Sequence, residues 1–214
     1  MSHDTLIHRI VRPVVRAVAP TGITPNQVTT LRVLAGAAAA ACFAGPGSWP
    51  AIGGAVFLFS MMLDRADGEL ARQTRQFSAF GHRYDLVSDC SANAVAFLGI
   101  GVGLFGTLGL LGPLLGALAG CGIGVLFWQI NVLKLEEVRG YSLAPGVTVD
   151  PDDAMAFVPV LVWCGAALPM LILAAVVTPL AALWLGLRSG RRGGAATAER
   201  RPPQPSQDAV RRPR

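Results

Sequence analysis

Four aspartates occur in two helix-spaced pairs, between flanks apolar enough to enter a membrane. The segment from Asp64 to Asp89 reads DRADGELARQTRQFSAFGHRYDLVSD, with AIGGAVFLFSMML before it and CSANAVAFLGIGVGLF after it. Its pattern is D-x2-D-G-x2-A-R-x8-G-x3-D-x3-D, set by Asp64, Asp67, Gly68, Ala71, Arg72, Gly81, Asp85 and Asp89. An ionised carboxylate in a membrane helix costs roughly 2.5–3.5 kcal/mol on insertion scales, so a group of them points to a functional site. Asp64 and Asp67 are three apart and Asp85 and Asp89 four apart, so each pair shares one helix face. Gathered together, four carboxylates repel one another, and one or two divalent cations relieve the repulsion. An all-oxygen ligand set with no neighbouring cysteine pair favours magnesium or manganese over zinc. Gly68, Ala71 and Gly81 lack bulk and let a phosphorylated ligand approach the helix backbones. Arg72, two turns after Asp64, suits a phosphate. Two metals can clamp a pyrophosphate and stabilise a leaving oxygen. A remaining carboxylate can deprotonate an attacking hydroxyl. The chemistry predicted is transfer of a phosphorus group. A single membrane aspartate reads equally well as part of a proton or cation path, or as an arginine partner for packing; eight positions at set spacing do not.

The elements that must hold this segment are membrane helices. Of 214 residues, 52% are hydrophobic and 14% charged, and the mean hydropathy is +0.50. Soluble domains carry about 25% charged residues. The apolar length allows about six spans of roughly twenty residues each. Residues 1–22 are expected to hold an interfacial amphipathic helix: Ile7, Val11, Val14 and Val18 follow helical spacing on one side and Arg9, Arg12 and Arg16 on another. Thr24 and Pro25 read as the N-cap and first residue of a new helix. Spans are expected at about 28–44, from 51 into the Asp64–Arg72 segment, at 81–104 and at 108–133. The uncharged stretch 154–187 is too long for one span, and a break near Ala167–Met170 divides it in two. Residues 23–187 then form a six-helix catalytic domain, with the second and third spans as antiparallel neighbours. Residues 188–214, basic and rich in Pro and Gly, read as a disordered tail that touches anionic lipid. Charged residues are absent from 33–63, 90–133 and 154–187. With six spans, every charge falls on one side, which the excess of Lys and Arg makes cytoplasmic, with both termini and the site. The expected location is the cell (inner) membrane. The net charge of +5 therefore faces lipid headgroups, and no nucleic-acid partner is expected. Cys42, Cys90, Cys121 and Cys164 form no CxxC pair and read as small buried hydrophobes. No cleavable signal peptide is evident.

The eight-residue pattern resembles the signature of the CDP-alcohol phosphotransferase (CDP-alcohol phosphatidyltransferase) family, with no substitution at any of its positions. Thr24, Pro25, Asn26 and Thr29 also match the start that the family often gives its first span. The resemblance implies a six-helix membrane enzyme. It would transfer a phosphatidyl, or other substituted phosphoryl, group from a CDP-linked lipid donor to a small polar hydroxyl acceptor, releasing CMP, in phospholipid biosynthesis. Asp64, Asp67 and Asp85 would bind two magnesium or manganese ions, and Asp89 would add a ligand or act as the base. Asn26, Asp67, Gly68, Ala71, Arg72 and Gly81 would line the CDP pocket. CDP-diacylglycerol is the expected donor, because a lipid donor explains a site open to the bilayer.

The acceptor is less legible. An anionic acceptor needs cations beside the site, for which Arg32, Arg75, His82, Arg83, Lys134 and Arg139 are candidates; Arg83 and Arg139 are carried forward. Cys90 stands where many relatives that use phosphorylated polyols carry a basic residue. Asp150, Asp152 and Asp153 could cap a helix N-terminus or meet the acceptor. Two other readings place carboxylates in a membrane: a transporter with a cation site, and an aspartate-rich prenyltransferase. Gly99-x-Gly101-x-Gly103 and Gly116-x3-Gly120 permit close helix contact, either within one chain or across a homodimer, which the resemblance favours.

Overall fold

The computed structural model describes residues 6–133, 141–144, 147–149 and 151–199, with side chains over 11–133 and 154–189. Arg139, Lys134 and residues 200–214 lie outside the described residues. The architecture is all-α: α1 Leu6–Val18, α2 Pro25–Ala44, α3 Trp49–Thr74, α4 Ala79–Gly103, the single turn α5 Phe105–Leu108, α6 Leu111–Asn131, α7 Phe157–Trp163 and α8 Ala167–Glu199. A small antiparallel hairpin, β1 Tyr141–Ala144 and β2 Val147–Val149, lies in the loop after α6. A 3-10 turn over Pro151–Ala156 leads into α7.

The start of α2 is written in its sequence. Thr24 Oγ1 accepts from the Gln27 backbone N–H, and Gln27 Oε1 accepts from the Thr24 N–H at 2.9 Å, so two otherwise orphaned donors are satisfied reciprocally. Pro25 occupies the first helical position, where its missing N–H costs nothing.

Helix order around the bundle departs from chain order. α2 packs against both α3 and α4, α4 against α6, α6 against α8, α8 against α7, and α7 against α3, which closes a ring. The second and third spans, α3 and α4, are thus not the close neighbours expected from their short linker, for they touch only sparsely and α2 lies between them. The linker, non-helical only over 75–78, is long enough to step across the width of α2.

Small residues make this packing tight. A Cβ on Gly120 would come within 2.6 Å of the Ala94 carbonyl oxygen, and one on Gly101 would lie 3.0 Å from Gly116 Cα. Of the glycines that could have served either packing or dimer contact, Gly101, Gly116 and Gly120 are spent on the α4–α6 contact and Gly99 and Gly103 on the α2–α4 contact, all within one chain. Ala39, Phe43, Phe57, Ala96, Phe97, Ala119 and Leu171 fill the centre.

Among the described residues, four helices are long and apolar enough to cross a membrane: α2, α4, α6 and α8 over Ala167–Ser189. With 26 residues α3 has the length as well, but its C-terminal half carries the motif charges. The expected break in 154–187 falls at 164–166, just before the predicted place, where Gly165 adopts φ +73°. The expected fifth span is short: Ala154–Trp163 is its apolar helical extent.

Two expectations need correction. α1 is amphipathic, but it turns Val11 and Val15 onto Leu70 of α3 and leaves Val14 61% exposed; Val15, four residues on from Val11, shares its face better than Val14 does. The tail expected to be disordered from residue 188 is helical to Glu199. Extending an existing helix needs no new nucleus, and Ala and Arg are good helix formers.

Candidate active site

α3 brings Asp64 and Asp67 to the site, and α4 brings Asp85 and Asp89. The helix between them, α2, supplies two partners. Thr29 Oγ1 donates to Asp67 Oδ2 at 2.6 Å. One turn on, the Arg32 guanidinium is buried, at 4% exposure, among the other three carboxylates. Its Nη1 lies 2.9 Å from Asp64 Oδ1 and 3.3 Å from Asp85 Oδ1, and its Nη2 donates to Asp89. Ser60 on α3 donates to the Arg32 carbonyl at 3.1 Å, which pins this turn of α2 to α3. Arg65 joins the network at 3.6 Å from Asp64 Oδ2.

The sequence reading placed Arg32 only among cations for an anionic acceptor. The structure makes it the central counter-ion of the motif. A signal was available: Arg32 is the sole charged residue in α2, and Thr29, three residues earlier, shares its face.

One carboxylate oxygen each from Asp64, Asp67 and Asp85 lie within 4.8 Å of one another. This donor set is all oxygen and partly buried, and it fits a hard divalent cation. Asp89, expected with them, stands outside this group and is held by Arg32.

A cleft of about 430 Å³ opens beside Asp67 and Asp85. The six residues expected around a nucleotide, Asn26, Asp67, Gly68, Ala71, Arg72 and Gly81, all line it. Ser78 caps α4 by accepting from the Gly81 N–H at 2.9 Å. A Cβ on Gly81 would come 2.9 Å from Asn26 Oδ1 and 3.0 Å from Ser78 Oγ, so only glycine lets α4 start this close to α2. At Gly68 a Cβ would meet only the tip of Arg72, at 3.7 Å, and would otherwise point into open space.

Arg72 is aimed by a residue outside the motif. Glu69, nearly buried, accepts from Arg72 Nη2 at 2.8 Å and from Nε at 3.2 Å. It also accepts from Gln73 Nε2 at 3.0 Å and faces Arg12 of α1 at 3.7 Å. The interfacial helix thus connects to the motif arginine through one carboxylate.

A second cavity, of about 30 Å³, lies one turn further along α3 and α4 from the charged end and is lined by Asp64 and Asp89. Arg83 is exposed and lines neither cavity. His82 lines the cleft, although the sequence reading considered it only for the acceptor.

Comparison with known proteins agrees with this geometry. The profile described as CDP-alcohol phosphatidyltransferase matches residues 22–185. Among curated proteins, nothing matches the chain. The apo crystal structure of Mycobacterium tuberculosis phosphatidylinositol phosphate synthase shares the fold with a TM-score of 0.57 and 20% identity, over 81% of this chain and 94% of that one. Family membership replaces the transporter and prenyltransferase alternatives. The profile spans α2 to α8 and includes every residue of the carboxylate cluster and the cleft, and the chain belongs to the CDP-alcohol phosphatidyltransferase family.

Proposed function

We propose that this integral membrane protein transfers a phosphatidyl group from CDP-diacylglycerol to a small hydroxyl acceptor, releasing CMP, with two magnesium or manganese ions. One observation carries the reading: the oxygens of Asp64, Asp67 and Asp85 converge, and two of these residues, Asp67 and Asp85, border a cleft also lined by Asn26, Gly68, Ala71, Arg72 and Gly81. The cleft has unobstructed backbone at Gly68, the arginine for phosphate, and a carboxylate group at its inner edge.

Asp64, Asp67 and Asp85 would hold the ions. Bound there, the metals supply positive charge that neutralises the pyrophosphate and stabilises the departing CMP oxygen. Arg72, oriented by Glu69, contacts a donor phosphate. Gly68 and Gly81 let the nucleotide lie against α3 and α4. Asp89 takes the proton of the acceptor hydroxyl at a carboxylate oxygen as the acceptor oxygen bonds to the lipid-linked phosphorus. The bond from that phosphorus to CMP breaks, and the product is a phosphodiester lipid. Arg32 donates to Asp89 and aims it in the meantime. The charged end of the bundle, with the site and both termini, faces the cytoplasm of the cell membrane in this reading.

The test is CMP release from CDP-diacylglycerol by purified protein in detergent, with magnesium, across a panel of hydroxyl acceptors. Metal- and acceptor-dependent release supports the proposal. Release from a CDP-aminoalcohol with a lipid acceptor, and none from CDP-diacylglycerol, would transfer the same site to a different donor.

A further inference from the structure

The four motif carboxylates are divided between two cavities. Asp67 and Asp85 border the larger cleft, and Asp64 and Asp89 border the smaller cavity. In a displacement at phosphorus the attacking and leaving oxygens lie roughly in line on opposite sides of the phosphorus. With the nucleotide in the larger cleft, as the function proposed above requires, the acceptor hydroxyl arrives from the Asp64–Asp89 side.

That side holds an uncharged carboxamide the chemistry has not used. Asn93 lies on α4 four residues after Asp89, so it shares that face one turn deeper. It lines the small cavity, and its carboxamide has no hydrogen-bond partner among the described residues. A polar side chain on a membrane helix is expensive when unpaired. The cavity therefore offers both a donor and an acceptor on Asn93, with Asp89, the proposed base, in the same lining. The two arginines that line it, Arg32 and Arg65, are matched by Asp64 and Asp89, so its formal charge is balanced. At about 30 Å³ it has room for hydroxyl-sized groups.

We propose that Asn93 is a specificity-determining residue for the acceptor: it reads a second, uncharged hydroxyl adjacent to the one that attacks. The acceptor class is then a polyol, free or phosphorylated at a remote position, and not a monohydroxy amine. A carboxamide both gives and accepts a hydrogen bond, which matches a hydroxyl. A site built to bond a substrate hydroxyl discriminates strongly against an analogue lacking it, because its own buried polar groups are then left unpaired.

The inference rests on the transferase reading, and one experiment separates the two. CMP release from CDP-diacylglycerol is measured with myo-inositol, sn-glycerol 3-phosphate, 3-hydroxypropyl phosphate (the same molecule without its middle hydroxyl), ethanolamine and L-serine. Wild type, Asn93→Ala and Asn93→Leu are compared, with the melting temperature of each recorded. The expected result is that wild type uses at least one of the two polyols and prefers sn-glycerol 3-phosphate, where it reacts, over its deoxy analogue. Both variants should raise the KM for the accepted polyol at least tenfold and leave the KM for CDP-diacylglycerol within twofold. A wild-type preference for ethanolamine or serine overturns the proposal. So does an unchanged polyol KM in either variant that folds, and Asn93→Leu, which places an apolar side chain in the helix, is the one expected to keep its melting temperature. Metal-dependent release with those outcomes leaves the transferase reading standing and removes only Asn93. Absence of release from wild type with every probe removes both.

Discussion

Arg32 of α2 is ion-paired at 2.9 Å with Asp64 of α3, and the same guanidinium carries Asp89 of α4 on its other amino group. Three helices therefore meet on one buried cation. Breaking a buried pair by removing one partner costs about 3–5 kcal/mol, because the remaining charge stays buried and uncompensated. Arg32→Gln is expected to lower the melting temperature of the metal-free protein clearly. Magnesium should recover more of that loss in the variant than it adds to wild type, since the cation replaces the missing charge. Thermal melts with EDTA and with magnesium check this, and equal melting temperatures of the two metal-free proteins would refute it.

Asp89→Asn removes the proposed base and keeps the shape of the side chain. General-base contributions run to roughly 10²–10⁴-fold, so CMP release should fall by at least about a hundredfold. The three converging carboxylates are untouched, so manganese binding, followed by electron paramagnetic resonance, should stay within a few-fold of wild type. A variant that keeps more than a tenth of the activity would assign the base elsewhere.

Metal removal should abolish turnover. EDTA treatment is expected to stop CMP release, and magnesium or manganese to restore it, as the all-oxygen group of Asp64, Asp67 and Asp85 requires. Full activity after exhaustive chelation would sink the metal assignment.

Gly68 and Gly81 should respond differently to the same change. A Cβ at Gly68 meets only the tip of Arg72, so Gly68→Ala should change stability by no more than about 0.5 kcal/mol. It narrows the cleft, however, and should raise the KM for the CDP donor. A Cβ at Gly81 presses on Asn26 and on the Ser78 cap, so Gly81→Ala should lower both donor affinity and melting temperature. Parallel donor titrations and thermal melts would show the contrast, and identical behaviour of the two variants would contradict it.

Glu69→Gln tests the connection from α1 to the cleft. Hydrogen bonds to charged groups contribute roughly 1.5–3 kcal/mol, so loosening Arg72 should raise the donor KM several-fold and leave the acceptor KM alone. Steady-state titration of each substrate separates the two, and a change confined to the acceptor would place Arg72 on the wrong side of the site.

Much of this molecule is local information. The start of α2 follows from Thr24, Pro25 and Gln27, whose side chains and backbone satisfy one another within a single turn. The pairing of Asp64 with Asp67, and of Asp85 with Asp89, follows from the helical period alone. Of the six cleft residues, Asp67, Gly68, Ala71, Arg72 and Gly81 were identifiable by type and spacing, for small bulk or for charge, and Asn26 by the resemblance of its segment to the family's start. Tertiary structure decided what stands between these pieces. α2 separates α3 from α4, a consequence of glycine and alanine packing across α2, α4 and α6 that a short linker does not reveal. The packed bundle supplies Arg32 as the counter-ion shared by Asp64, Asp85 and Asp89, and Glu69 as the link from Arg12 to Arg72. Periodicity places a side chain on a face of its own helix; only the packed bundle determines which other helix that face meets.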